Sequence, residues 1–470
     1  MTDNRLRTRR AAQLLGCLAA LTGPLVLAVP AQAASLTDAL ATTYRSNPDL
    51  KAARRELGAT NEAVPQALSG WRPEVSIEGS VGKQRSDQKS AFFSDESDEV
   101  YTTPLRGQFE VRQPLYRGGR NAANTERAVS QVGAQRARLV NTEQDVLLRA
   151  ARAYMNVWRD QAILRLNKNN VDVLRRQLEA TQDRFDVGEV TRTDVSQAKS
   201  RLSRAIADRV DAAGALESSR AVYTEVIGRP PADLTQPEPP EKLPDSQKAA
   251  VQTALAQNPQ VRAARFAEIA ARRNVRSITG ELLPEAELVG RATRSANNTS
   301  RESSQETLEI LAQISIPLYQ RGAVFSRMRE AKQTANQRRL ELRSARRQIE
   351  QETVTAWEDL QAARAQIKAI EDQVRSAEIA LEGVRQESQV GARTVLDVLD
   401  AEQELLNAEV DLIRAQRNEI VAAYSLLSAM GRLTAQDLGL PVDVFDIEKA
   451  YQDVRNKLWG SDLPAAAGDD

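Results

Sequence analysis

The chain of 470 residues contains no histidine. That absence removes the commonest general base and the commonest metal ligand together. Cysteine occurs once, as Cys17, so no internal disulfide can form. Aromatic residues are 4% of the chain, which argues against several large compact cores. Beyond the first 30 residues no stretch reaches the ~18 consecutive apolar residues of a membrane-spanning helix. Proline is missing from 119–188 and again from 322–391. What is present is charge, 27% of residues with 64 of each sign, together with abundant Ala, Gln, Glu, Arg and Leu. Such a mixture is the make-up of long helices packed through narrow seams.

Residues 1–33 read as an export signal. Arg5, Arg7, Arg9 and Arg10 precede an apolar run over 11–29, and Ala31-Gln32-Ala33 forms a small-x-small cleavage site. The mature chain is then expected to start near Ala34. Arg9-Arg10 fits twin-arginine export poorly, which leaves the general route. Cys17 follows Leu14-Leu15-Gly16 as a lipidation site would, but at the start of the apolar run rather than its end. Removing the leader leaves no cysteine and a net charge of about −3, a poor match to nucleic acid.

Internal repeats decide the organisation. "YRSNPDLKAARREL" at 44–57 matches "LAQNPQVRAARFAE" at 255–268, a shift of 211 residues that also aligns Pro73 on Pro284. "RQPLYRGGR" at 112–120 matches "SIPLYQRGA" at 315–323 at a shift of 203, as Ile227-Gly228 matches Met430-Gly431. The chain is a tandem duplication. Its eight-residue length difference falls between residues 73 and 115, where loops tolerate it and helices do not. The predicted units are a first repeat over 34–235 with a strand pair over 73–116, a proline-rich connector over 236–246, a second repeat over 247–440 with a strand pair over 284–319, and a C-terminal segment and tail over 441–470.

Each repeat has the same order of elements. A helix of ~35 residues is expected to end before Pro73 or Pro284. Two alternating strands follow, best seen where Leu308, Ile310, Ala312, Ile314 and Ile316 share one face. Pro114 and Pro317 are expected to close the second strand of each pair, because proline cannot donate to a ladder. Helices of ~65 residues then run from Gly119 to Gly188 and from Gly322 to Gly391, and ~35-residue helices return to Gly228 and Gly431. Leu360, Ile367, Val374 and Leu381 recur every seven residues, as do Leu399, Leu406, Ile413, Ile420 and Leu427, and Val157, Leu164, Val171, Leu178 and Phe185. A seven-residue period implies left-handed supercoiled packing. A ~65-residue helix spans roughly 100 Å, the length of two half-length helices stacked end to end. The fold class is therefore mainly α with a small β part. Four amphipathic strands in an exported chain without a membrane helix point to a β-barrel shared between subunits, because a spanning sheet must close.

The duplicated Asn-Pro helix (Asn47-Pro48, Asn258-Pro259), the strand-ending "QPLY" and "IPLY", and the turns "VGEVTRTDV" and "VGARTVLDVLDA" resemble the TolC family of outer-membrane efflux and type I secretion channels over 35–440. The resemblance implies a homotrimer with a 12-stranded barrel in outer-membrane lipid and a helical tunnel in the periplasm. It also implies partners, namely a periplasmic adaptor (membrane fusion protein) and an inner-membrane ABC or RND-type transporter, and no catalytic chemistry, cofactor or metal. The tip turns at Val187, Gly188, Val390 and Gly391 would meet the adaptor. The connector and the C-terminal segment would lie around the tunnel's waist, and "FFSDESDE" at 92–99 would be a solvated outer loop.

At the tips, Thr191-x-x-Asp194 and Thr394-x-x-Asp397 form capping boxes with an acid at the third helical position. Capping explains Asp194 and Asp397 whatever the protein does. Asp400 and Arg393 have Gln197 and Val190 as counterparts, and capping requires neither. Asp397 and Asp400 match the family's aperture aspartates, which threefold symmetry would stack into two carboxylate rings that hold cations and raise one another's pKa. Arg393 matches the family's arginine that links the inner hairpin to Thr193 and Asp194 of the outer one. Ser388 stands where the family's best-known member has a tyrosine that helps hold the closed state. An alternative reading is a periplasmic coiled-coil adaptor or a structural scaffold, but an adaptor needs one hairpin and a β-rich module, and a scaffold needs no Pro-bounded strands.

Overall fold

The computed structural model describes residues 35–88, 98–240, 242–300 and 302–462. The leader with Cys17, most of "FFSDESDE" and the last residues of the tail lie outside the described residues. The chain opens with α1 (Leu36–Ser46), α2 (Pro48–Asn61) and α3 (Ala63–Ser69), where one continuous helix was expected. The break at Asn47 has a local cause. Its backbone is extended (φ −62°, ψ 125°), its side chain accepts from the backbone N–H groups of Asp49 and Leu50, and Pro48 occupies the first helical position. The second break places Pro65 in the first turn of α3, where its missing N–H costs nothing.

The strands follow: β1 (Glu74–Val81), a projecting ribbon of β2 (Gln84–Gln88) and β3 (Asp98–Thr102), and β4 (Leu105–Arg117). Next come α4 (Arg120–Asp186) and α5 (Arg192–Ile227), which form the first hairpin. The second repeat supplies α6 (Gln247–Gln257), α7 (Pro259–Gly280), β5 (Glu285–Ala296), β6 (Ser304–Ser315), then α8 (Ala323–Gln389) and α9 (Val395–Ala429) as the second hairpin. A last helix, α10, covers Ile447–Arg455. Asn258 breaks the second copy as Asn47 breaks the first. Each asparagine also ties its break to the end of a return helix, Asn47 donating to the Val226 carbonyl at 3.2 Å and Asn258 to the Ala429 carbonyl at 2.9 Å.

The four long strands form one antiparallel sheet in the order β1-β4-β5-β6, so both repeats contribute to it and β1 and β6 are its edges. β6 stops before Pro317, but β4 runs through Pro114 to Arg117. The ladder absorbs this proline by a register shift between Pro114 and Tyr116. One face is an apolar rung of Ile77, Phe109, Ala292 and Leu308 in register. Ile77 and Leu308 are 80% and 83% exposed. The opposite face carries charge: Arg291 on β5 donates to Glu110 on β4 at 3.0 Å and to Glu309 on β6 at 2.6 Å. The sheet is therefore apolar on the face that has no cover within the chain, and its polar side chains satisfy one another on the other face.

Both long helices have 67 residues and start from glycines in the left-handed region, Gly119 (φ 71°) and Gly322 (φ 77°). At 1.5 Å per residue each spans roughly 100 Å. The main core lies at mid-length, where Leu40, Tyr44, Leu50, Leu147, Tyr154, Tyr223, Ile420 and Leu427 pack together. The end of the first repeat joins it through Leu234, Tyr154 donates to the Thr235 carbonyl at 2.7 Å, and Leu243 of the connector packs against the same core. The C-terminal segment is clasped there too. Just before it Glu143 accepts from the Ala435 N–H at 2.7 Å, and within it Arg54 stacks on Phe445 as well as on Tyr44, and Arg136 stacks on Tyr451 of α10.

Candidate functional site

The two hairpin turns share one backbone. Gly188 (φ 80°) and Gly391 (φ 78°) take the left-handed conformation that ends a helix. The turn is closed by Gly188 N–H to the Phe185 carbonyl and Glu189 N–H to the Arg184 carbonyl, and equivalently by Gly391 to Ser388 and Ala392 to Glu387. Val187 and Val390 are left 72% and 81% exposed beside the glycines. One exposed apolar knob therefore stands at the far end of each long helix.

Each return helix then starts from the capping box read in the sequence. Thr394 donates from both its N–H and its hydroxyl to one Asp397 oxygen at 2.9 Å, while Asp397 N–H donates to the Thr394 hydroxyl at 3.3 Å. Thr191 and Asp194 repeat this arrangement. The donated bonds hold both carboxyls below the ordinary aspartate value. Within one chain these bonds therefore oppose the upward push expected from crowded carboxylates.

The copies differ in their charges. In the first turn Arg184, before the glycine, pairs with Glu189 after it at 3.2 Å. In the second turn the order is reversed, with Glu387 before the glycine and Arg393 after it, paired at 2.8 Å. Arg393 is thus held within its own turn, and the chain does not bring it onto Thr193 or Asp194. The two hairpins are joined at this end by other residues. Val395 and Leu399 of α9 are buried against Val171 and Leu174 of α4 and Ala198 and Ala205 of α5. Beside this patch Arg201 of α5 reaches Asp400 of α9 at 2.5 Å. Sequence reasoning selected Asp400 and missed Arg201. The signal was available in the repeat, because Arg201 falls on Glu404 just as Asp400 falls on Gln197.

Further from the tip the hairpins separate around a cleft of about 840 Å³ that includes Asp208, Asp211, Asp411 and Arg414. Among the described residues no group of acids or other ligands is placed to hold a metal ion, and no helix is long and apolar enough to cross a membrane.

A sheet with an uncovered apolar face, a charged opposite face and two free edges, carried on two long hairpins, defines a channel-forming class of protein. Comparison with known proteins agrees. The chain belongs to the outer membrane efflux protein family, whose model matches residues 40–229 and 250–432. It is 33% identical over 453 residues to the outer membrane efflux protein BepC of Brucella suis, covering 96% of this chain and 97% of BepC. It is 29% identical over 405 residues to the outer membrane protein TolC of Vibrio cholerae, covering 84% and 90% of the two chains. The solved structure of the outer membrane protein VceC from Vibrio cholerae superposes with a TM-score of 0.72 at 21% identity, covering 84% of this chain and 96% of VceC. The protein is an outer-membrane channel of TolC type, and its role is efflux rather than that of an adaptor or scaffold.

Proposed function

We propose that three copies of the chain assemble into one exit duct: a 12-stranded barrel in the outer membrane continued by a helical tunnel through the periplasm. The observation that carries this is the four-stranded sheet, open at β1 and β6, with its apolar face uncovered. Four strands are half of even a small filled barrel of ~8. Edge pairing of β6 with the next copy's first strand closes the sheet, puts the apolar face against lipid and turns the Glu110–Arg291–Glu309 face to the water-filled interior.

The bottom of the duct is then the ring of tip turns. Asp397 and Asp400 of each copy stand there as two levels of carboxylate, and a ring of acids collects cations. Arg393 exchanges between Glu387 and the Thr193–Asp194 pair as the inner hairpin moves. The exposed valines Val187 and Val390, with their glycine turns, are the surface offered to a periplasmic adaptor, which couples the duct to an inner-membrane transporter of ABC or RND type. The cargo is secreted protein, small toxic compounds, or both. The family is a transport family, and the duct reading needs no catalytic group. Reconstitution into planar bilayers tests the proposal: discrete conductance steps with cation preference are expected, and protein that inserts without conducting refutes it.

A further inference from the structure

We infer that the cleft between α4, α5 and α9 is a binding site for a small dissolved oxyanion, a phosphate or a carboxylate, held at its basic end by Arg417 and Arg159. Arg152 stands beside them and adds to the positive charge. The inference is independent of the aperture reading, because these residues lie at mid-length and not at the tips.

Three observations carry it. The first is how the bases are brought together. Arg152 and Arg159 are seven residues apart on α4, so they share one face. Asn156 lies between them, and its side-chain oxygen accepts from Nε of Arg417 on α9 at 3.0 Å. Arg152 in turn reaches the Ser425 hydroxyl of α9 at 3.4 Å. Three guanidinium groups from two helices are thereby gathered along about two helical turns of seam.

The second is charge. The acid beside them, Asp160, is buried and already engaged. It takes Nε and Nη2 of Arg159 at 2.7 and 3.0 Å, and the hydroxyl of Ser219 on α5. Among the described residues neither Arg152 nor Arg417 is ion-paired, unlike Arg364 with Glu419 and Arg385 with Glu402 on the second hairpin. Burial, then the charges of Arg159 and Arg152, hold Arg417 below the ordinary arginine pKa, as befits a cation crowded by cations. An anion relieves that crowding, and Nη2 of Arg417 and Nη1 of Arg159 are the donors left for it.

The third is room, together with asymmetry. Arg159, Asp160 and Arg417 line the cleft of about 840 Å³, whose α5 wall carries Asp208 and Asp211 two to three turns nearer the tip than Ser219. The cleft is thus basic toward mid-length and acidic toward the tip, and an anion settles at the basic end. The other copy lacks the set: at the shift of 203, Arg152, Arg159 and Arg417 fall on Thr355, Ala362 and Gly214. A hairpin of the same length packs without these bases, so packing does not demand them. Arg152 lies roughly 50 Å along α4 from the sheet, beyond the reach of a lipid headgroup in the outer membrane, which leaves a dissolved ligand.

The test is isothermal titration calorimetry of the assembled protein in detergent, with inorganic phosphate and separately with succinate, in chloride buffer. Saturable binding at one site per chain is expected. Arg417→Gln removes the charge but keeps a polar side chain, and should weaken binding roughly tenfold or more, the loss of one charge-assisted bond. Arg152→Gln should weaken it less, since Arg152 adds charge without lining the cleft. Arg375→Gln, which breaks an exposed ion pair on α8, should leave binding unchanged. Thermal unfolding separates binding from folding: phosphate should raise the midpoint of wild type and of Arg375→Gln, but not of Arg417→Gln. Tighter phosphate assigns a phosphate-bearing solute and tighter succinate a carboxylate, and either supports the site. Absence of saturable binding and of any midpoint shift with both anions overturns it, as does equal affinity in Arg417→Gln, and both results leave the duct reading untouched.

Discussion

The two long helices have the same length and nearly the same surroundings in sequence, yet within one chain they differ sharply in cover. α4 buries 26 of its 67 residues, whereas α8 buries 8 of 67. α4 lies among α1, α2, α5, α7 and α9. α8 has α9, α7 and α6 and leaves Leu340 and Ile379 59% and 70% exposed. A coiled-coil helix keeps apolar residues at such positions only where a neighbour receives them. This uneven cover supports the proposed assembly, in which the exposed side of α8 meets a neighbouring copy. The tips repeat the lesson at smaller scale: the turn and the capping box are common to both, and the charges around them are not. The shared features build the hairpin, and the divergent ones set which charges pair around its turn.

The largest effect should come from breaking cover where it exists. Leu147→Ala empties a fully buried position in α4 and should cost ~2–5 kcal/mol of folding stability, seen as loss of helical signal at lower temperature. Leu340→Asp with Ile379→Asp should do the reverse, leaving the chain helical while preventing assembly on native gels. If the α8 pair leaves assembly intact, those side chains face solvent in the complete channel and α8 meets no neighbouring copy there.

Next in size are the tip acids. Asp397→Ala with Asp400→Ala should raise single-channel conductance, weaken cation preference and abolish block by multivalent cations. Unchanged selectivity and block would remove these residues from the aperture. Arg393→Ser should produce a smaller rise in conductance, because within the chain its partner is Glu387 and not the other hairpin. With Asp194→Ala added, less than the sum is expected if the two residues meet during opening, and full additivity would show that they never do.

The smallest predicted effect is a pH dependence. Asp194 and Asp397 titrate below their ordinary value, so the capping they provide is present above the unfolded value of ~3.9 and is lost as pH falls through the lower folded value. A spin label at Ala392→Cys should keep its mobility from neutral pH down to ~4 and loosen only below it. Loosening near pH 5–6 would show instead that neighbouring carboxylates crowd one another strongly enough to outweigh the capping bonds.

Much of this architecture is legible in residue order. Alternation marked the four long strands but not the β2–β3 ribbon, which lies in what reads as a loop; the seven-residue period marked the long helices, and glycines marked their turns. The breaks at Asn47 and Asn258 were harder to see, because apolar spacing continues across them while a side-chain cap decides otherwise. β4 passes Pro114 because a bulge absorbs it, and bulges leave little trace in one strand read alone. The capping role of Asp397 is local and was readable. The partner of Asp400 depends on a contact between residues 199 positions apart, which only the folded pair of hairpins brings together.

The central claim is that one chain is one third of a closed channel. Mass measurement of the detergent-solubilised protein, with bound detergent subtracted, tests it directly. Three chains per particle is the predicted result. A stable, folded particle of one chain would contradict it, because the free edges of β1 and β6 and the bare side of α8 would then have no neighbour.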